Sequence, residues 1–275
     1  MGAKPLLNVA SLSITDTQSG RRLVSDVQLT LDVGRCTAIV GESGSGKTLV
    51  CKSLLGLLPP WLHAEGEIGF NGRSLLTQRE AEWRNVRGRE IGLIMQDAAS
   101  AFDPLYTVGS QFEETLAQSG IKDHGQRLER MREMLGRVQL REPDTVLKKY
   151  PHQLSGGMLQ RVMIALSLAR EPSLLVADEP TTSLDSITQY DVIQRFIRLR
   201  TESRSAMIFV SHDLALVREL AQHVVVMKEG RVVEQGDTAS LFESASHDYT
   251  RSLIETRRRL SQPLNRLLGR VSNAS

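Results

Sequence analysis

The amino-acid sequence predicts an α/β fold in which helices cover a largely parallel sheet. Short apolar runs of strand length alternate with longer segments of helical periodicity, a pattern typical of parallel sheets. One run, residues 36–40, leads directly into the Gly-rich stretch GESGSGKT, and a helical pattern follows that stretch. Between about residues 97 and 160 strand-like runs disappear and helical periodicity dominates, which predicts a helical insert in the core.

Two strands are expected before the Gly-rich stretch, because apolar residues alternate loosely through residues 6–33 around a polar turn at 16–20. They predict an N-terminal antiparallel β subdomain. Pro59 and Pro60 would end the first helix. Residues 66–70 indicate a further strand, which is followed by a tight turn.

The second half of the chain predicts further core elements. We interpret the charged residues 79–89 as exposed, and expect core strands at residues 91–95, 173–177, 206–210 and 223–227. Residues 188–199 place apolar side chains on one helical face. We expect one domain over residues 1–260, with the helical insert at about 97–160, and a basic C-terminal tail over residues 261–275.

The stretch GESGSGKT matches the phosphate-binding pattern G-x-x-x-x-G-K-[ST] at every required position. Its glycines let backbone N–H groups approach phosphate oxygens, and the helix that follows points its positive end at the same anion. Lys47 is expected to reach the β- and γ-phosphates, and the Thr48 hydroxyl to ligate Mg²⁺. The stretch therefore predicts nucleoside triphosphate binding by Gly41, Glu42, Ser43, Gly44, Ser45, Gly46, Lys47 and Thr48.

A second candidate site lies where the apolar run 174–177 ends in two carboxylates. Asp178 is suited to hold Mg²⁺, usually through water, because this ion prefers oxygen ligands. Glu179 follows at once and is placed to polarise a water for attack on the γ-phosphate. Many strands end in an acidic residue by chance, so this pair is moderate evidence when taken alone.

The residues LSGGM at 154–158 resemble the LSGGQ signature of ABC-type ATPases, with Met158 in place of the final glutamine. In the order that this family requires, Gln96 stands at the Q-loop position, Asp185 at the D-loop position and His212 at the switch position. The resemblance extends over nearly the whole chain. It implies a P-loop NTPase core of ABC type that binds ATP with Mg²⁺ and hydrolyses it.

The resemblance also implies roles for individual residues. Glu179 would be the general base, and His212 would contact the γ-phosphate and hold Glu179 and the water in place. The residues implied as Mg²⁺ ligands are Thr48, Gln96 and Asp178. In this family the signature completes the nucleotide site of a facing subunit, and the residues that would do so are Ser155, Gly156 and Gly157.

A finer resemblance connects the chain to ATPases of the oligopeptide, dipeptide and nickel importers, through residues 95–104 and 158–161. Within that group it is most similar to ATPases of nickel and staphylopine-type metallophore importers. This likeness implies two transmembrane permease subunits, a second homologous ATPase subunit in a heterodimer, and indirectly an extracytoplasmic substrate-binding protein. The chain would then lie at the cytoplasmic face of the inner membrane. A short peptide is the alternative cargo.

Composition limits the other function classes. A net charge of +2 argues against a strongly basic nucleic-acid binder, and we expect no nucleic-acid partner. Cys36 and Cys51 lack metal-ligand spacing, and the six histidines form no close-spaced ligand pair. We find no signal peptide and no apolar run of membrane-spanning length. The cargo itself cannot be derived from these residues.

Two other classes of ABC-type ATPase are the alternatives to an importer. They are ATPases without membrane partners, which include DNA-repair, chromosome and ribosome-acting proteins, and exporter ATPases. DNA-repair and chromosome proteins usually insert long coiled coils, but Lys47 and Ser155 are only 108 positions apart (155 − 47). Ribosome-acting factors carry two cassettes in one chain, and this sequence has one. Exporters are disfavoured by the importer-type resemblance.

Because the sequence has no aromatic residue before Trp61, we expect adenine to be held without aromatic stacking from the N-terminal sheet.

Overall fold

The computed structural model describes residues 4–182, 184, 186–203 and 205–256. Within these residues the strands are β1 (Leu7–Asp16), β2 (Arg22–Leu31), β3 (Cys36–Val40), β4 (Leu62–Phe70), β5 (Arg73–Ser74), β6 (Ile91–Ile94), β7 (Leu174–Asp178), β8 (Ala206–Val210), β9 (His223–Lys228) and β10 (Arg231–Asp237). The α-helices are α1 (Lys47–Ser53), α2 (Glu80–Val86), α3 (Val108–Gln118), α4 (His124–Arg137), α5 (Pro143–Leu147), α6 (Gly156–Leu168), α7 (Ser186–Ser203), α8 (Leu214–Leu220) and α9 (Thr238–Ser244). Residues 248–256 form a further, C-terminal helix.

The main sheet has six strands in the order β10-β9-β3-β8-β7-β6. The pairs β9–β3, β3–β8, β8–β7 and β7–β6 are parallel, and only β10 runs antiparallel to its neighbour. The predicted parallel sheet is therefore confirmed. The inner strands β3 and β8 are buried on both faces, as expected when crossover helices and a second sheet cover a parallel sheet.

A second, antiparallel sheet has the order β2-β1-β4-β5. It confirms the predicted N-terminal β subdomain, but two of its strands come from the chain beyond α1. Long-range pairing explains this enlargement, because Leu7 lies opposite both Leu31 of β2 and Phe70 of β4. Its apolar face packs with α1 against one side of the main sheet, and the helices α6, α7 and α8 pack against the other.

The helical insert predicted between the core strands contains α3, α4 and α5, and α6 begins in it and runs on to Leu168. Apolar residues at helical spacing bury one face of α4, for example Met131 and Leu135.

Two segments outside the helical insert differ from the sequence-based expectation. The helix after the phosphate-binding loop ends at Ser53 rather than continuing towards Pro59. Residues 80–86 form α2, with Trp83 buried at 6% exposure instead of lying in an exposed segment.

The C-terminal helix is fastened to β10 by one carboxylate. Glu234 accepts hydrogen bonds from the Ser246 amide and hydroxyl, both at 2.7 Å, and from the His247 amide at 3.2 Å. Burial raises the pKa of Glu234, but the nearby hydroxyls of Thr250 and Ser246 and these two amides outweigh burial and lower the pKa to about 2. The ionised form of Glu234 therefore stabilises the start of this helix.

We expect Glu234→Gln to lower the free energy of unfolding at pH 7 by on the order of 1–2 kcal/mol, because the hydrogen bonds to a charged acceptor are weakened. The folded pKa lies below the ordinary value of 4.5, so the stabilisation is present above pH 4.5 and is lost as pH falls towards about 2. Urea unfolding should thus show a smaller difference between wild type and variant at about pH 3.5 than at pH 7. Glu243→Gln, at an exposed residue of α9, is the control. A difference independent of pH would contradict the assignment.

Candidate functional site

Four adjacent strands of the main sheet end at the candidate site. In spatial order β3, β8, β7 and β6 are followed by the phosphate-binding loop, His212, Glu179 and Gln96. Because the carboxyl ends of parallel strands meet at one edge of a sheet, residues far apart in sequence converge there. The structure thus brings together three of the predicted site residues beside the loop.

The phosphate-binding loop, residues 41–48, packs closely on β9. Gly41 has a φ of +151°, and a Cβ at this position would lie 2.2 Å from the carbonyl oxygen of Met227. Gly46 has a φ of +101° and lies against the side chain of Val24 in β2. Only glycine fits these two positions, because each combines a positive φ with a close neighbour. Ser45 is buried, whereas Glu42, Ser43 and Gly44 are exposed.

Lys47 is buried inside the loop at 6% exposure. Its Nζ donates hydrogen bonds to Gly41 O at 2.9 Å, to Glu42 O at 2.7 Å and to Ser45 Oγ at 3.4 Å. Burial lowers the pKa of Lys47, and the carboxylates of Glu179 and Asp178 oppose that change. The lysine is therefore folded onto the loop backbone, with two carboxylates close enough to act on its charge.

Asp178 ends β7 and is largely buried. Burial raises the pKa of its carboxyl, while the Thr48 hydroxyl and the charge of Lys47 lower it and the charge of Glu179 raises it further. Among the described residues its Oδ1 atom is buried and has no hydrogen-bond partner. A buried carboxylate oxygen without a partner is costly, and a hard cation would satisfy it. The residues present here therefore fit Mg²⁺.

Glu179 has a φ of +46°, a left-handed backbone conformation that is strained for a residue with a side chain. Its amide donates to Val210 O at 3.0 Å, which holds this turn against the end of β8. Three side chains approach the same carboxylate oxygen, Oε2. Gln96 Nε2 and Thr182 Oγ1 each lie 3.1 Å from it, and His212 Nδ1 lies 3.4 Å from it.

His212 occupies the short connection between β8 and α8. The Ser211 hydroxyl accepts a hydrogen bond from the Asp213 amide at 3.0 Å, and Asp213 caps α8 through the amides of Ala215 and Leu216. These bonds fix the backbone on the C-terminal side of the histidine. The imidazole therefore sits at a rigid corner, with its Nδ1 towards the Glu179 carboxylate.

Two residues of this region were missed by sequence reasoning. Thr182 contacts the Glu179 carboxylate, and a hydroxyl three residues after a glutamate gives no recognisable signal. Gln160 is fully buried, and its Nε2 donates to Met95 O at 3.2 Å and to Pro180 O at 2.7 Å. It ties together the backbones next to Gln96 and Glu179. A polar residue within an apolar helix was the available signal.

The signature residues lie at the N-terminus of α6. Ser155 caps the helix, and its Oγ accepts from the Met158 amide at 3.3 Å. In the part of the chain that the structure describes, no hydrogen bond joins Ser155, Gly156 or Gly157 to the loop or to Glu179. Gly156 is exposed, and a Cβ there would meet no atom within 4 Å. Asp185, the predicted D-loop residue, and the tail 261–275 lie outside the described residues.

Asp16 closes the β1–β2 turn by accepting from the Gln18 amide at 2.9 Å and from the Ser19 hydroxyl at 2.8 Å. Trp61 lies directly before β4, and its carbonyl oxygen accepts from the amide and the hydroxyl of Thr17, each at 2.9 Å. The first aromatic residue in the sequence is therefore next to this turn. That adenine is held without aromatic stacking from the N-terminal sheet stays a prediction.

A family model described as "ABC transporter" matches residues 24–182, more than half of the chain. The chain belongs to the ABC transporter family. The match spans the phosphate-binding loop, Gln96, the signature and the Asp178–Glu179 pair. As a member of this family the chain is an ATP-binding protein, and its ATP hydrolysis is coupled to transport.

Curated relatives in this family cover most of the chain. It is 45% identical to the metal-staphylopine import system ATP-binding protein CntD of Staphylococcus aureus, over 93% of this chain and 94% of that protein. It is 40% identical to the dipeptide transport ATP-binding protein DppD of Escherichia coli, over 95% of this chain and 81% of that protein. Both names describe ATP-binding subunits of transport systems.

Solved structures of ABC ATPases share the fold. A dimeric, post-hydrolysis state of the ATP-binding cassette MJ0796 with ADP and Pi has a TM-score of 0.76 and 28% identity, over 84% of this chain and 98% of that chain. Clostridium perfringens cbiO1, part of the ABC transporter complex cbiONQ, has a TM-score of 0.74 and 25% identity, over 96% and 98%. These neighbours confirm the ABC-type architecture.

Among the helices of the described residues, none has the length and apolar character needed to cross a bilayer. Nor do these residues contain a cluster of three or more His, Cys, Asp or Glu side chains that could hold a metal ion.

We expect Glu179→Gln to keep ATP binding while hydrolysis falls by about 10²-fold or more, because the amide cannot accept a proton from water. Gln96, Thr182 and His212 all contact one oxygen of Glu179, Oε2. Because the amide oxygen of glutamine can take the place of Oε2, the isosteric change should leave the fold intact. The measurement is multi-turnover phosphate release, with ATP binding followed in EDTA. Glu243→Gln serves as the control. Hydrolysis near the wild-type rate in Glu179→Gln would exclude this residue as the base.

Proposed function

We propose that this chain is one of two ATPase subunits that power an ABC importer, and that its own residues carry out the hydrolytic step. The observation that carries the proposal is the convergence of Gln96, Thr182 and His212 on one oxygen of Glu179. Such a network orients a carboxylate for one task. Beside it, the phosphate-binding loop and Lys47 form the complementary anion site.

The hydrolytic chemistry follows from the two oxygens of the Glu179 carboxylate. Among the described residues the polar contacts of the Glu179 carboxylate are made through Oε2, which leaves Oε1 to accept a proton from the attacking water. As that proton arrives, the donors on Oε2 hold the carboxyl group in place. Lys47 turns from the loop carbonyls to the phosphates and stabilises their charge. His212, at its rigid corner, holds Glu179 and approaches the γ-phosphate.

Mg²⁺ would be held by Thr48, Gln96 and Asp178, whose Oδ1 atom is the buried oxygen without a partner. The ion, when bound, neutralises charge on the phosphates. The backbone amides of the loop and the start of α1 supply the remaining electrostatic stabilisation. The strand register supports this role, because Asp178 and Ile39 both lie opposite Val210 of β8, and the loop begins two residues after Ile39.

We also propose that the signature of this chain acts on the nucleotide bound by the other ATPase subunit. Gly156 has open space around it, so the packing of its own chain does not require glycine at this position. Space for a phosphate of the facing subunit explains the missing side chain. The Ser155 hydroxyl and the amides at the start of α6 would bind that anion, and Asp185 would lie at the same interface.

Gly156→Ala is expected to hold or raise thermal stability, by up to about 1 kcal/mol, because alanine is the better helix former. ATP binding to the isolated chain in EDTA should be unchanged. Hydrolysis by the complete transporter should fall at least about tenfold, because the added methyl group occupies the space for the partner's nucleotide.

The matched control is Gly136→Ala. Gly136 is also exposed within a helix, and a Cβ there would likewise meet no atom within 4 Å. This variant should gain the same stability and keep full hydrolysis. Equal hydrolysis in the two variants would argue that the signature contacts nothing outside its own chain.

For the cargo we propose a nickel-type divalent metal, free or bound to an opine metallophore. Support comes from the 45% identity to CntD, the residues 95–104 and 158–161, and near-complete coverage of both chains. A short peptide is the second candidate, because the dipeptide transport protein DppD is 40% identical. In either case two permease subunits, a homologous ATPase subunit in a heterodimer and an extracytoplasmic binding protein complete the system at the cytoplasmic face of the inner membrane.

The cargo is tested by deleting the gene and measuring uptake of labelled nickel, cobalt and zinc, with and without metallophore, and of a labelled dipeptide. We expect loss of metal uptake and normal peptide uptake. Complementation with wild type should restore transport, and complementation with Glu179→Gln should not. Normal metal uptake with loss of peptide uptake would reverse the order of the two candidates. Purification with DNA or ribosomes instead of permeases would exclude an importer.

A further inference from the structure

The peptide group between Gly41 and Glu42 of the phosphate-binding loop is bonded on both of its sides. Its carbonyl oxygen, Gly41 O, accepts from Lys47 Nζ at 2.9 Å, and its amide, Glu42 N, donates to the hydroxyl of Tyr249 at 3.0 Å. Tyr249 is 207 residues away and belongs to the C-terminal helix, residues 248–256. A hydroxyl from outside the ATPase motifs therefore reaches the loop that binds phosphate.

Tyr249 is held in this position by its surroundings. The Lys228 ammonium lies 5.1 Å from the centroid of its ring, and the ring packs on the apolar core. Lys228 ends β9, next to Met227, whose carbonyl oxygen touches Gly41. The tyrosine, the end of β9 and the start of the loop thus form one packed unit.

The hairpin between β9 and β10 joins the same unit. The Gly230 amide donates to Ser45 O at 3.1 Å, and Gly230 has a φ of +79°. A Cβ at Gly230 would lie 2.2 Å from Leu23 O, so the hairpin can approach β2 this closely only with glycine at this position. Glu234 of β10 then fastens the start of the C-terminal helix through Ser246 and His247. Two of these bonds, between Tyr249 and Glu42 and between Gly230 and Ser45, reach the phosphate-binding loop itself.

We propose that Tyr249 is a positioning residue for nucleotide binding, and that through it the C-terminal helix sets the ATP affinity of the loop. When Lys47 turns to a phosphate it leaves Gly41 O, and the hydrogen bond from Glu42 N to the Tyr249 hydroxyl then keeps the Gly41–Glu42 peptide in place. The hydroxyl thus pre-organises the backbone curl that presents the loop amides. This inference rests on the proposed function, because it assigns a further residue to the same ATP site.

The test is Tyr249→Phe, which removes the hydroxyl and keeps the ring under Lys228. ATP titration of the purified full chain in EDTA should show a rise in Kd of about 3- to 10-fold, the range for one lost hydrogen bond. In the complete transporter the KM for ATP should rise by a similar factor with kcat nearly unchanged. The nucleotide-free Tm should stay within about 2 °C of wild type.

Tyr106→Phe is the matched control, since Tyr106 is exposed on the helical insert and its variant should bind ATP normally. Glu234→Gln is a second variant, which loosens the helix start without touching the loop, and it should raise the Kd in the same direction. Unchanged ATP affinity in Tyr249→Phe, or a fall in kcat and in the nucleotide-free Tm with no change in KM, would overturn the proposal. If the wild-type chain itself fails to bind ATP, the proposed function fails instead.

Discussion

The close contact between β9 and the phosphate-binding loop is the constraint on which the site depends. Gly41 lies so near the Met227 carbonyl that any side chain would force the two backbones apart. That contact fixes where the loop leaves β3, and hence where Lys47 and the amides of residues 41–48 point. It also places the end of β9, with Lys228, beside the C-terminal helix. The close approach of these two backbones thus relates the position of the loop to β3, β9 and the C-terminal helix.

The order of the strands brings three polar side chains next to this loop. Since β8, β7 and β6 follow β3 across the sheet, His212, Glu179 and Gln96 succeed one another along one edge. The left-handed backbone at Glu179 is the strained point of this arrangement, and strain of this kind costs on the order of 1–3 kcal/mol. The bond from its amide to Val210 O and the buried Gln160 on Pro180 O offset that cost. Stability is thereby exchanged for a carboxylate held in one orientation.

The parallel core was predictable because its signals are local, as in the buried run of β3 and the motif GESGSGKT after it. The set of strands in the antiparallel sheet was not predictable, since β4 joins β1 through pairing between residues far apart in the sequence, such as Leu7 and Phe70. Glu179 and His212 could be named from motif order, but their 3.4 Å contact depends on the spatial order of strands. Thr182 and Tyr249 escaped prediction for a related reason. Thr182 donates one hydrogen bond to the Glu179 carboxylate, and Tyr249 accepts one from the backbone amide of Glu42, far away in the sequence. A single bond of this kind leaves no periodicity in the sequence.

The two halves of the site differ in how the fold supports them, and this difference bears on the mechanism. Residues of the first half, around the loop and Glu179, are bonded to one another and to buried backbone, so they are ordered within one chain. The signature half has its hydroxyl engaged by its own helix and open space above Gly156. Under the proposal that a second subunit supplies an anion at this helix start, glycine leaves the space that the anion needs. Because ATP would then be contacted by both subunits, its binding energy would draw them together, and hydrolysis would release that attraction.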